Sequence, residues 1–122
     1  MDGADKIDLD GFYRAAGGDS VDVLARLRSP ERVVKFARLF FSDPTFAALE
    51  EAMAKGDVET AFRASHTLKG TARDVGFSAV ADTCSDVCEA LRAGDTAAAE
   101  GLMPAARDAY ATAMAAIRDW LG

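Results

Sequence analysis

The chain contains one histidine, His66, and it stands in the hexapeptide "SHTLKG", Ser65 to Gly70. Lys69 and Gly70 follow it by one helical turn and Arg73 by two, while Arg63 precedes it by one turn. An imidazole with its ordinary pKa of about 6.5 is mostly neutral at neutral pH and serves as a nitrogen nucleophile. The neighbouring cations would stabilise negative charge placed on that ring. At surface dielectrics one such pair is worth on the order of 1 kcal/mol, enough to bias a reversible transfer but not to catalyse one. Glycine inside a helix costs roughly 1 kcal/mol relative to alanine, so Gly70 needs a reason. Its missing side chain leaves room beside the ring for a bulky group or for another protein's active site. Acceptance of a phosphoryl group suits all three features.

Each feature also has a plainer explanation. A lone histidine is commonly a surface residue or a satisfied core residue, and Lys69 and Arg73 would serve as ordinary cations near a helix C-terminus. Gly70 could mark close helix packing. The helical pattern argues against that last reading, because Val58, Ala61, Phe62, Ser65, Leu68, Ala72 and Val75 form one apolar stripe centred near Ser65 and Ala72. His66 falls about 120° from that centre and is expected to face solvent, with Gly70 also directed away from the stripe.

The elements that must hold this face are all helical. No segment shows sustained strand-like alternation, and Ala, Leu, Glu, Arg and Met fill long stretches between helix signals. A short helix is expected over about 8 to 16, ending at Gly17-Gly18, and another from Asp19 or Ser20 to about Arg28. Ser29 reads as an N-cap with Pro30 at the first helical position. Val33, Val34, Ala37, Phe40 and Phe41 then form an apolar face. Pro44 should kink or restart that helix before Phe46, Leu49 and Met53, with an end near Lys55. Gly56 closes this segment and Asp57 caps the histidine helix, which reaches Gly76. Ser78 opens a helix carrying Val80, Cys84, Val87, Cys88 and Leu91 and ending at Gly94. Asp95 caps the last helix, expected to run to Trp120 with an irregularity at Pro104. Connections as short as "KGD", "GFS" and "AGD" imply antiparallel neighbours. The expected fold is an all-α, up-down-up-down four-helix bundle over about 30 to 120, with short N-terminal helices over about 8 to 28 packed on one end or side.

At 122 residues the chain fits a single domain over 1 to 122, long enough to bury about two-thirds of its unfolded surface. A net charge of −6 argues against a nucleic-acid partner, which requires clustered Lys and Arg. No apolar run approaches the ~18 residues of a membrane span, and "MDGADKIDLD" lacks the basic-then-apolar order of a secretory signal, so a cytoplasmic location without membrane attachment is expected. Cys84 and Cys88 lie four apart in an apolar stretch, and a metal site would need further ligands from a chain with one histidine. Buried thiols are expected, and no metal.

The segment "ASHTLKGTARDVG", Ala64 to Gly76, resembles the signature of histidine-containing phosphotransfer (HPt) domains of two-component phosphorelays. The flanking "FFSDPTFAALEEAMAKGD" and "CSDVCEALRAGD" look like the neighbouring helices of that family, so the resemblance covers most of the chain. It implies a four-helix bundle with His66 as the phosphorylated residue, Lys69 supporting the phosphoryl charge and Gly70 giving clearance; Arg73, read from its helical position alone, would add to that support. Arg63 and Thr67 would belong to the surface that docks a partner. Two positions depart from the pattern. Asp74 stands where Asn is common, placing a negative charge two turns from His66, which is expected to weaken phosphate retention slightly. Cys88-Glu89 stands where Leu-Glu is common, expected as a packing variation.

By the same resemblance the protein is a carrier and not an enzyme. A response-regulator receiver domain would bring the aspartate and Mg²⁺, and phosphoryl groups would arrive from a receiver or a sensor or hybrid histidine kinase. No bound cofactor is expected in this chain, and a monomer is expected. Other readings are a helical bundle that binds receivers without being phosphorylated, or the N-terminal phosphotransfer domain of a chemotaxis kinase, suggested by "VGF". The initial methionine, compact ends and lack of a linker favour the free-standing carrier. An enzyme using His66 as general base fits poorly, since a base needs a pocket and an orienting partner.

Overall fold

The computed structural model describes residues 8–122, which form seven α-helices and no strand among the described residues. These are α1 (Leu9–Ala16), α2 (Ser20–Leu27), α3 (Pro30–Ser42), α4 (Thr45–Lys55), α5 (Val58–Asp74), α6 (Ser78–Arg92) and α7 (Thr96–Leu121). Short polar side chains start most of them by satisfying an otherwise orphaned backbone N–H. Asp8 accepts from the Gly11 amide, Asp19 from Val21, Ser29 from Arg32, Asp57 from Thr60 and Asp95 from Ala98, at 2.9 to 3.2 Å. Hydrogen bonds from the Thr60 hydroxyl and amide hold the Asp57 carboxyl below its usual range.

Pro30 opens α3 as expected, and Pro44 separates α3 from α4 instead of bending one helix. Asp43 accepts the Thr45 amide at 2.9 Å and so helps the chain restart. Two expectations need correction. Pro104 does not interrupt α7, which continues unbroken to Leu121. Proline removes one helical donor and crowds the carbonyl of residue 100. Here Glu100, Gly101, Pro104 and Ala105 are all exposed, so that carbonyl can turn to water, while Met103 and Ala106 remain packed on the core. Phe41 is not part of the buried face of α3. It lies about 100° round the helix from Phe40 and is 45% exposed.

Helix α5 lies between α4 and α6, α6 packs on α7, and α7 also receives α1 and α3. Phe77, fully buried at the α5–α6 turn, joins these layers through aromatic contacts. Its ring centroid is 5.3 Å from Phe40, 5.7 Å from Tyr13 and 6.1 Å from Phe12. On α4, Phe46 stacks on Tyr110 of α7 with centroids 4.1 Å apart, and Glu50 pairs with Arg107 at 2.6 Å along the same seam. The α1–α2 turn meets the α5–α6 turn closely enough that a Cβ on Gly18 would lie 2.0 Å from the Gly76 carbonyl oxygen. Only glycine fits there. Backbone hydrogen bonds from Asp19 to Gly76 at 3.2 Å and from Ala79 to Gly17 at 2.9 Å seal the approach.

Cys84 and Cys88 are free and buried, as expected. Burial, aided by the nearby Cys88, pushes the Cys84 thiol from 9.0 up to about 12. The folded state therefore holds that proton more tightly than the unfolded chain. The associated stability is present below pH 9.0 and is lost as pH rises toward about 12. Buried Tyr13, whose phenol is also raised chiefly by desolvation, acts in the same direction. We expect the urea midpoint to fall as pH rises above 9.0, and to fall less in Cys84→Ala. Removal of the Phe77 ring in Phe77→Ala should cost about 3–5 kcal/mol in urea denaturation, because that site cannot collapse without displacing three other rings.

Candidate functional site

Helix α5 buries Ala61, Ala64, Ser65, Leu68 and Ala72 and leaves the opposite arc open. Ser65, the polar residue in that stripe, is fully buried and donates its hydroxyl to the Phe62 carbonyl at 2.9 Å. The small Ala, Ser and Ala positions let neighbouring helices approach closely and hold the rotation of α5 about its axis. His66 is consequently exposed, as the stripe predicts.

The C-terminal end of α5 is secured by residues far away in sequence. The Tyr13 hydroxyl donates to the Val75 carbonyl at 2.7 Å, and the Arg26 guanidinium donates to the carbonyls of Arg73 and Asp74. A cation among the last carbonyls of a helix opposes the negative end of its dipole. Helices α1 and α2 are thereby fastened to the helix that carries His66.

Around His66, Thr67, Gly70 and Arg73 are exposed and Lys69 is half-buried. A Cβ built on Gly70 meets nothing within 4 Å, so the glycine is not required for packing. Arg63 is exposed and its charge is shared with Glu59 at 2.7 Å. Among the described residues, the side chains of Lys69 and Arg73 have no hydrogen bond or ion pair, which leaves both ammonium and guanidinium available to an incoming anion. Asp74, the acidic departure from the expected pattern, is also exposed.

Three further residues adjoin this face and escaped the sequence reading. Phe62, assigned to the apolar stripe, is only half-buried, and its ring lies beside the His66 imidazole with centroids 6.2 Å apart and planes 19° apart. The Arg92 guanidinium of α6 sits 5.4 Å from the centre of the same Phe62 ring, and Glu89 pairs with Arg92 at 3.3 Å. The four-residue spacing of Phe62 and His66 was visible in the sequence. The approach of Arg92 was not, because it depends on how α5 and α6 pack.

An exposed imidazole flanked by unpaired cations and open space can attack an electrophile presented by another molecule. No neighbouring acid or base touches the ring among the described residues, so its nitrogen lone pair is open to an incoming electrophile. Beyond Thr71 and Asp74 on the same helix, an apolar groove of about 470 Å³ is lined by Leu27, Phe36, Leu39 and Val75. Leu39 is 55% exposed and Phe36 38% at its edge.

No curated protein and no solved structure matches the chain. Residues 40–120 match the family model of the Hpt domain. That match takes in α4, α5, α6 and nearly all of α7, the helices that bury one side of the histidine helix and expose the other. Spanning more than half of the chain, it establishes that this protein belongs to the Hpt domain family, the phosphotransfer carriers of phosphorelays.

Proposed function

We propose that His66 accepts a phosphoryl group from a receiver-domain aspartate, or from a hybrid kinase, and passes it to a response regulator. The observation that carries this reading is the exposed imidazole of the chain's one histidine, next to an open space over Gly70 and an unpaired Lys69, within the Hpt match. One imidazole nitrogen uses its lone pair to form a P–N bond as the P–O bond of the aspartyl phosphate breaks and the carboxylate leaves. The reverse step returns the phosphoryl group to an aspartate. The receiver brings the aspartate and Mg²⁺, and this chain supplies the nucleophile and the docking surface without binding a cofactor itself.

Lys69 and Arg73 act on the charge of the transferred group, Lys69 from one turn along α5 and Arg73 from two. Gly70 gives clearance to the receiver's active-site loops. Thr67 and Arg63 lie on the contact surface, and the groove bordered by Phe36 and Leu39 offers apolar area of the kind that marks protein-binding surfaces. We read α3 with α4, α5, α6 and α7 as an up-down-up-down bundle, with α1 and α2 as an integral flank, in one domain acting as a cytoplasmic monomer.

Incubation with a phosphorylated receiver domain and Mg²⁺ should add one acid-labile, alkali-stable phosphoryl group, and His66→Gln should abolish it. Labelling that survives the substitution, or none from any receiver of the same genome, rejects the assignment. Gly70→Leu should leave the melting temperature equal or higher, by the helix propensity gain of up to about 1 kcal/mol, while slowing transfer at least tenfold through steric obstruction. A lower melting temperature would show instead that Gly70 serves packing.

A further inference from the structure

The two sides of the His66 ring differ. Helical side chains lean toward the N-terminus of their helix, so residue 66 lies over residue 62 and residue 70 would lie over residue 66. At position 62 the chain has an aromatic ring, 6.2 Å from the imidazole and 19° from parallel to it, within the range of favourable ring pairs. At position 70 it has no side chain, and the space is open. The imidazole is therefore backed on the N-terminal side and free on the C-terminal side.

Phe62 is itself restrained. Its half-buried ring carries the Arg92 guanidinium at 5.4 Å, and Arg92 is held in turn by Glu89 at 3.3 Å. An exposed histidine without a hydrogen bond would otherwise exchange among several rotamers, and only those that aim a ring nitrogen at the incoming phosphorus can react. We propose that Phe62 is a positioning residue for phosphoryl transfer: its ring, braced by Arg92 from α6, holds the His66 imidazole in the orientation that reacts. The proposal rests on His66 being the phosphoacceptor. It requires the stack to act on the transfer step and not on receiver affinity, since Phe62 lies behind the ring and away from the open side.

The test combines two readouts on the intact protein. With one histidine in the chain, the His66 ring resonances are unambiguous in ¹H–¹³C NMR spectra. They should carry a ring-current shift in the wild type that is lost in Phe62→Leu and retained in Phe62→Tyr. In transfer from a phosphorylated receiver, Phe62→Leu should lower the rate at saturating receiver by about three- to tenfold with little change in the half-saturating concentration. Phe62→Tyr should restore it, and Arg92→Gln should give an intermediate rate. Circular dichroism on each variant separates these effects from unfolding. Unshifted wild-type ring resonances overturn the proposal, and so does a Phe62→Leu variant that transfers at the wild-type rate or loses only affinity. Failure of every receiver to label the wild type overturns the phosphoacceptor assignment, and the NMR shift still decides whether the stack exists.

Discussion

The face that His66 presents depends on how closely the opposite face of α5 is packed. Ala61, Ser65 and Ala72 have no exposed surface and Leu68 almost none. Turning the helix by even one residue, about 100°, would bring His66 or Lys69 into the core and expose Leu68. An unpaired charge or imidazole buried that way is far more costly than the apolar area lost. The outward placement of residue 66 thus follows from the packing of the core face.

A helix fixed in rotation can still fray at its end, and here the N-terminal helices prevent it. Tyr13 and Arg26 satisfy carbonyls of the last turn of α5, while Asp19 bonds to Gly76 just beyond it. The family match begins at residue 40, so α1, α2 and most of α3 lie outside it. Helices α1 and α2 nevertheless bond to the end of α5 in ways that belong to its stability. Fraying costs little free energy at an unanchored terminus and much more at one tied to buried groups. Arg73, the basic residue of the last turn, gains a stable backbone from these contacts.

Much of this was legible in local sequence chemistry. Ser29, Asp57 and Asp95 marked helix starts because their side chains accept backbone amides at short range, and the stripe through Ser65 and Ala72 gave His66 its outward direction. Such features involve residues one to four apart. What escaped reading depends on longer distances. Arg26 reaches the end of α5 across 47 residues, and the α6 residue Arg92 meets Phe62 only after two helices have packed. Pro104 was misread for a related reason. Its local cost was visible, but the helix continues where Met103 and Ala106 pack on the core and Glu100 stands exposed.

The two buried thiols of α6 bear on when such a carrier would fail. The thiolate is the species that attacks peroxides and disulfide reagents, and both sulfurs are enclosed by the core, with the Cys84 thiolate strongly disfavoured at neutral pH. An oxidant in the surrounding medium must wait for the protein to open before it can react with either. The exposed histidine face and the oxidisable atoms are thereby kept on opposite sides of one folding barrier, so oxidation of either sulfur waits on unfolding for as long as the fold holds.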